Sequence, residues 1–231
     1  MRDEELERPS VHEYWFVKLS KMTSLTKRGA LIVFEGCDRS GKTTQCKKLV
    51  ENLRNKGITT EFLCFPDRST AIGKVIDSYL KKEEELPDRT IHLTFAANIW
   101  ENEQKIKSAL QNGVTLVIDR YAYSNVAYSA AKEAMDFKWC TLPATGLPKP
   151  DVVFFLDMNM EAMEKRGGFG SERYETTNFQ RSVYNNFKKL IDKSWKVLNA
   201  DQKKDVLHEE ILTNALSITE NVKNSEIGYL W

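Results

Sequence analysis

Residues 36–43 read Gly36-Cys37-Asp38-Arg39-Ser40-Gly41-Lys42-Thr43, a complete G-x-x-x-x-G-K-[ST] pattern between the apolar run Ala30–Phe34 and an amphipathic stretch beginning at Lys42. Strand, glycine loop and helix in that order form a cradle for phosphate. Gly36 and Gly41 let the backbone curl so that N–H groups point inward, from a stretch including Arg39, Ser40 and Thr44. Lys42 then places a charge on the β- and γ-phosphates, and the Thr43 hydroxyl can ligate Mg²⁺. The pattern implies binding of a nucleoside triphosphate. A glycine turn with no ligand is the plain alternative, and the order of the flanking elements speaks against it.

Working outward, 231 residues with 41% hydrophobic content provide one sizeable core. The 34 basic and 33 acidic residues leave a net charge of +1, so nothing global points to nucleic acid or an anionic membrane as partner. Cys37, Cys46, Cys64 and Cys140 are irregularly spaced without a C-x-x-C pair, which disfavours a disulfide framework or a zinc site. No apolar stretch reaches the roughly 18 residues that span a bilayer. Residues 1–28 carry Asp3, Glu4, Glu5 and Glu7, too acidic for a transit peptide, and the patch Tyr14-Trp15-Phe16-Val17 is too short for a signal core. They are expected to be a flexible extension before a domain at 29–231. The expected compartment is the cytoplasm, with the nucleus as a second location, and not the mitochondrion.

From Gly29 onward, strand-like and helix-like segments alternate, predicting a mainly parallel sheet with helices on both faces. Strands are expected at 30–35, 60–65, 114–118, 152–156 and 195–198. Helices are expected from Lys42 to a stop at Gly57, over 70–82, over 88–112 as one long element ending at Gly113, and from about Ala122.

Three further arginine-bearing stretches add chemistry. Asp119-Arg120-Tyr121 ends the third strand, at the sheet's carboxyl edge where ligands of open α/β sheets bind. Asp119 there suits a magnesium carboxylate, direct or through water, and Arg120 neutralises phosphate charge; a structural ion pair is the plain alternative. In Phe65-Pro66-Asp67-Arg68, Arg68 can clamp a monophosphate and Phe65 can support a base or pack the loop, although a surface turn has the same composition. Lys165-Arg166-Gly167-Gly168-Phe169-Gly170-Ser171-Glu172-Arg173-Tyr174 reads as a flap that closes over phosphates and excludes water. Glycine loops of that kind also occur without function.

Taken together, Arg28–Gly36, Asp38–Thr43, Phe65–Thr70, Asp119–Ser124, Gly146–Asp151 and Glu172–Glu175 resemble the thymidylate kinases of eukaryotes and poxviruses. The resemblance implies a five-stranded parallel sheet of the P-loop nucleoside monophosphate kinase type and a homodimer. It also implies Mg²⁺-dependent transfer of the ATP γ-phosphoryl group to dTMP. Carried over by position, it puts Asp38 near the deoxyribose 3′-hydroxyl and Arg39 over the transferring phosphoryl group with Lys42. Arg166 falls on the ATP side. Arg68 and Arg120 match the monophosphate clamp, and Phe95 matches the ring that stacks on thymine. Tyr128 matches the ring that crowds C2′. Tyr174 and Gln180 close the sugar side, and Ser124 and Asn125 fall in the substrate-binding stretch.

The chain departs from that family at Ile99, where many relatives have an arginine that donates to thymine O4. An apolar side chain cannot donate, and a hydrogen bond to a charged group contributes about 1.5–3 kcal/mol. The same arginine would repel the amino group of cytosine, so its loss predicts leakier base selection. Asn125 stands where close relatives have glycine, and its amide is a candidate replacement. The neutral alternative is that Ile99 packs while backbone or water satisfies O4.

Two other classes fit less well. A signalling GTPase would carry an Asn-Lys-x-Asp motif, which the sequence lacks. A kinase relic that only binds nucleotide would be expected to lose Lys42, Thr43, Asp119 or Arg120, and all four are present. Paired Arg68 and Arg120 favour a monophosphate acceptor over a nucleoside.

Overall fold

Three of the strands, β1 (Leu31–Glu35), β3 (Thr115–Asp119) and β4 (Val152–Asp157), are apolar along nearly their whole length and are buried almost throughout. Because successive side chains point to opposite faces, such runs are stable only when both faces of the sheet are covered. The computed structural model describes residues 27–159, 161 and 172–231. In it β2 (Thr60–Cys64) and β5 (Trp195–Asn199) complete a parallel sheet of order β2-β3-β1-β4-β5.

Chain order places the ligand edge. The chain leaves β1 toward β2 on one side and leaves β3 toward β4 on the other. These two neighbours form the switch point, outside whose carboxyl ends ligands bind. Glu35 and Asp119 are the last residues of those strands.

Helices α1 (Lys42–Asn55) and α2 (Ala71–Leu80) follow as the spacing predicts, and α3 (Asp88–Trp100) comes next. The expected long helix over 88–112 is instead two, α3 and α4 (Glu103–Gln111). The cause is tertiary. At the end of α3, the Asn98 amide reaches the Asp67 carbonyl at 3.2 Å, Thr70 Oγ1 at 3.1 Å and Glu101 Oε1 at 2.6 Å. Glu101 also accepts from the Thr70 hydroxyl at 2.7 Å, which turns this end of the helix onto the Phe65–Thr70 loop.

Next come α5 (Ala122–Ser129) and the short α6 (Phe137–Thr141). Helices α7 (Thr177–Leu190) and α8 (Lys204–Asn221) were not assigned from the sequence, and both begin without a capping side chain. Arg28, placed in the extension by the sequence reading, forms a bidentate pair with Asp151 at 2.6 and 2.9 Å. The rest of the expected extension, 1–26, and the core of the expected flap, 162–171 with Arg166, lie outside the described residues. All four cysteines are unpaired.

Candidate active site

The phosphate loop adopts the backbone its sequence requires. Gly36 has φ 145° and Gly41 φ 95°. A Cβ on Gly36 would approach the Leu156 carbonyl oxygen at 2.8 Å, so no other residue fits that turn. Arg39, a non-glycine residue, is also held at φ 62°. Lys42 is buried inside the loop, its Nζ donating to the Cys37 carbonyl at 2.7 Å and to Ser40 Oγ at 3.2 Å. Burial lowers its pKa to about 8, with Arg120 adding to the effect and Asp119 opposing it. An incoming phosphate anion favours the charged form of that amine.

Asp119 receives the Thr43 hydroxyl on Oδ2, while its Oδ1 is buried with no hydrogen-bond partner. An acceptor-only carboxylate oxygen left bare beside a threonine hydroxyl suits a hard cation. Among the described residues there is no group of three or more His, Cys, Asp or Glu side chains able to hold a metal alone. A cation there needs oxygen ligands from a bound phosphate as well.

The acceptor side is built from side chains of distant segments. Arg120, at φ 66°, donates through Nη1 to Ser124 Oγ at 3.1 Å and to the Gly36 carbonyl at 3.3 Å, and through Nη2 to Asp38. Its guanidinium lies 5.2 Å from the centre of the Tyr128 ring. Asp38 also accepts from Gln180 Nε2 at 2.6 Å, and Gln180 Oε1 accepts the Asp38 N–H at 3.1 Å. Arg68 bonds Asp77 at 2.6 Å and Glu172 at 2.9 Å. Arg39 reaches Glu175 at 3.2 Å.

The arginines, Lys42 and Asp119 line one cleft of about 800 Å³. It is lined by Asp38 to Thr44 of the phosphate loop and by Phe65, Arg68, Phe95, Asp119, Arg120, Ser124, Asn125, Tyr128 and Tyr174. Of the candidates from sequence, Gly36 and Gln180 stand behind that wall, bonded to residues that form it. Arg166 lies outside the described residues. Ser124 lines the cleft, but its hydroxyl is engaged by Glu35 and Arg120.

Ile99 also lines the cleft and packs into the core at 3% exposure, as the neutral alternative expects. Asn125, which lines the same cleft, donates Nδ2 to the His92 carbonyl at 3.2 Å, and its Oδ1 is buried without a hydrogen-bond partner.

Two parts of the site escaped the sequence reading. Ala200, Gln202, Lys204 and Leu207 extend the cleft beyond Thr44 and Gln45. Their one signal was position, directly after the fifth strand at the sheet's carboxyl edge. Glu35 was the other. It is fully buried, its carboxylate accepts the N–H groups of Tyr121 at 2.9 Å and Ser124 at 3.0 Å, and burial raises its pKa to about 7.

The family model described as thymidylate kinase matches residues 34–211. Thymidylate kinases of Danio rerio and Homo sapiens are each 45% identical over 208 residues, covering 89% of this chain and 98% of theirs. The structure of thymidylate kinase from Candida albicans, an enzyme described as having broad substrate specificity, superposes with a TM-score of 0.77. It is 36% identical, over 88% of this chain and 99% of that one. The chain belongs to the thymidylate kinase family.

Proposed function

We propose that this chain transfers the γ-phosphoryl group of ATP to dTMP, giving dTDP and ADP. The observation that carries it is the union, in one cleft, of a complete phosphate loop and two further arginines, Arg68 and Arg120. One phosphate cradle suffices to bind a nucleotide, and the second cationic site gives the acceptor phosphate a place to sit.

In this reading ATP lies along the loop from Gly36 to Thr44, its base against the wall of Ala200, Gln202 and Leu207. The resemblance also implies Arg166, outside the described residues, as an ATP-binding residue. Thr43 and Asp119 would hold Mg²⁺, directly or through water, together with phosphate oxygens, and the ion would neutralise phosphate charge. An oxygen of the dTMP phosphate, already anionic near neutral pH, attacks the γ-phosphorus, and the bond to the β–γ bridging oxygen breaks, leaving ADP. No strong general base is required. The chain's contribution is alignment and charge, from Lys42 and Arg39 on the transferring group and from Arg120 and Arg68 on the acceptor.

On the acceptor side, Phe95 stacks on the base, and Tyr128 crowds C2′ against ribonucleotides. Asp38, set by Gln180, meets the sugar, and Tyr174 with Phe65 closes around it. With Nδ2 of Asn125 held by the His92 carbonyl, Oδ1 is the atom left to meet the base. It pairs with the N3–H of thymine or uracil and opposes the lone pair on N3 of cytosine. This narrows the leakiness expected from Ile99 to uracil.

We further propose a homodimer, for which apolar Val75 and Leu93, exposed on neighbouring helices α2 and α3, provide contact area. A cytoplasmic and nuclear location without nucleic-acid or membrane partners fits the near-neutral charge. Among the described residues no helix is long and apolar enough to cross a membrane. Coupled detection of ADP from ATP, Mg²⁺ and dTMP tests the activity. Turnover only without an acceptor would contradict it, and a monomer by light scattering would contradict the dimer.

A further inference from the structure

Glu35 has no part in the chemistry above, yet it stands between the two halves of the site. It is the last residue of β1, and Gly36, the first residue of the phosphate loop, follows it. Its donors all come from the turn that opens α5: the Tyr121 and Ser124 N–H groups and the Ser124 hydroxyl. The first position of that helix has no side-chain cap from within its own segment. A carboxylate from another strand does the work usually done by a local Ser, Thr or Asp.

The bonds continue in a ring. Ser124 Oγ accepts from Arg120 Nη1 at 3.1 Å, and the same nitrogen reaches the Gly36 carbonyl at 3.3 Å. Glu35, Ser124, Arg120 and Gly36 thus join the donor loop to the guanidinium of the acceptor clamp. Arg120 is in the left-handed region at φ 66°, which a non-glycine residue keeps only when its surroundings hold it. A carboxylate serving only to cap a helix would not need to stand at the root of the phosphate loop.

We propose that Glu35 is a positioning residue that sets the spacing between the phosphate loop and Arg120, and hence between donor and acceptor phosphates. It acts through Ser124 and Arg120 and touches neither substrate. The proposal rests on the phosphoryl-transfer reading given above.

Steady-state kinetics of Glu35→Ala and Glu35→Gln, per mole of folded enzyme measured by circular dichroism, tests it. Gln keeps the oxygen that accepts the two backbone N–H groups and offers Ser124 a donor, so E35Q holds kcat/KM for dTMP within about threefold of wild type. E35A loses about 10²-fold, the scale of a 1 Å misplacement at a reacting centre, with KM for ATP unchanged. Wild-type kinetics in E35A would overturn the proposal. So would a parallel rise in KM for ATP, which marks general loosening, or an E35Q as impaired as E35A. If E35A does not fold, Ser124→Ala opens the ring at the hydroxyl while leaving both backbone bonds. A loss of about tenfold confined to dTMP is then expected, and unchanged dTMP kinetics would overturn the proposal. Wild-type enzyme inactive on dTMP would instead sink the functional reading.

Discussion

The donor and acceptor halves of the cleft are made in different ways. The donor half is a single backbone curl, eight consecutive residues fixed by Gly36, Gly41 and the buried Lys42 amine. The acceptor half is assembled from side chains on the Phe65–Thr70 loop, α3, the end of β3, α5 and the 172–180 segment, held by carboxylate–arginine pairs. The backbone half binds what every phosphate loop binds. The side-chain half can be retuned one residue at a time, and we propose Ile99 with Asn125 as such a retuning.

The largest effect separating the halves is expected at Arg39. Arg39→Ala should lower kcat about 10²–10³-fold, the cost of removing one group that stabilises transition-state charge, with little change in KM for dTMP. A raised KM with unchanged kcat would move Arg39 to the binding side.

Glu35, at the joint, gives a pH signature. Its folded pKa of about 7 lies above its ordinary value of 4.5, so the folded state holds the proton more tightly. The stabilisation from that linkage is fully present below about pH 4.5 and is lost as pH rises through about 7. It amounts to about 3 kcal/mol at most. Urea unfolding at pH 5, 6, 7 and 8 should show wild type losing stability relative to E35Q over that range. Parallel curves would contradict the assignment.

On the acceptor half, Arg68→Ala should raise KM for dTMP about tenfold or more, since a charge-assisted hydrogen bond is worth about 1.5–3 kcal/mol. KM for ATP should not move. An equal rise for both substrates would show that Arg68 supports the whole cleft. Smallest is Asn125→Ala, expected to reduce the preference for dTMP over dCMP about tenfold through loss of one acceptor. Unchanged dCMP rejection would place base reading elsewhere.

Legibility in the sequence follows the same division. The donor loop could be read because its chemistry is contiguous, and β1, β3 and β4 because buried parallel strands are continuous apolar runs. The break between α3 and α4 was hidden because helical spacing runs on past Trp100, while the bonds from Asn98 and Glu101 that turn the chain go to a loop about thirty residues earlier. Glu35 was hidden for a similar reason. A glutamate ending a strand looks solvent-facing until the turn at Tyr121–Ser124 is seen to close over it. The missing arginine at position 99 was visible in the sequence, but the polarity of the Asn125 amide was not, because the His92 carbonyl fixes it from a different helix.

We propose that the acceptor half of this member of the thymidylate kinase family reads the base through Asn125. The most direct test is kcat/KM with ATP and Mg²⁺ across dTMP, dUMP, dCMP, UMP and AMP in one coupled assay. The expected order is dTMP first and dUMP close behind, about fourfold lower for one buried methyl, with dCMP, UMP and AMP far below. A flat profile, or a preference for dCMP or AMP, would contradict it.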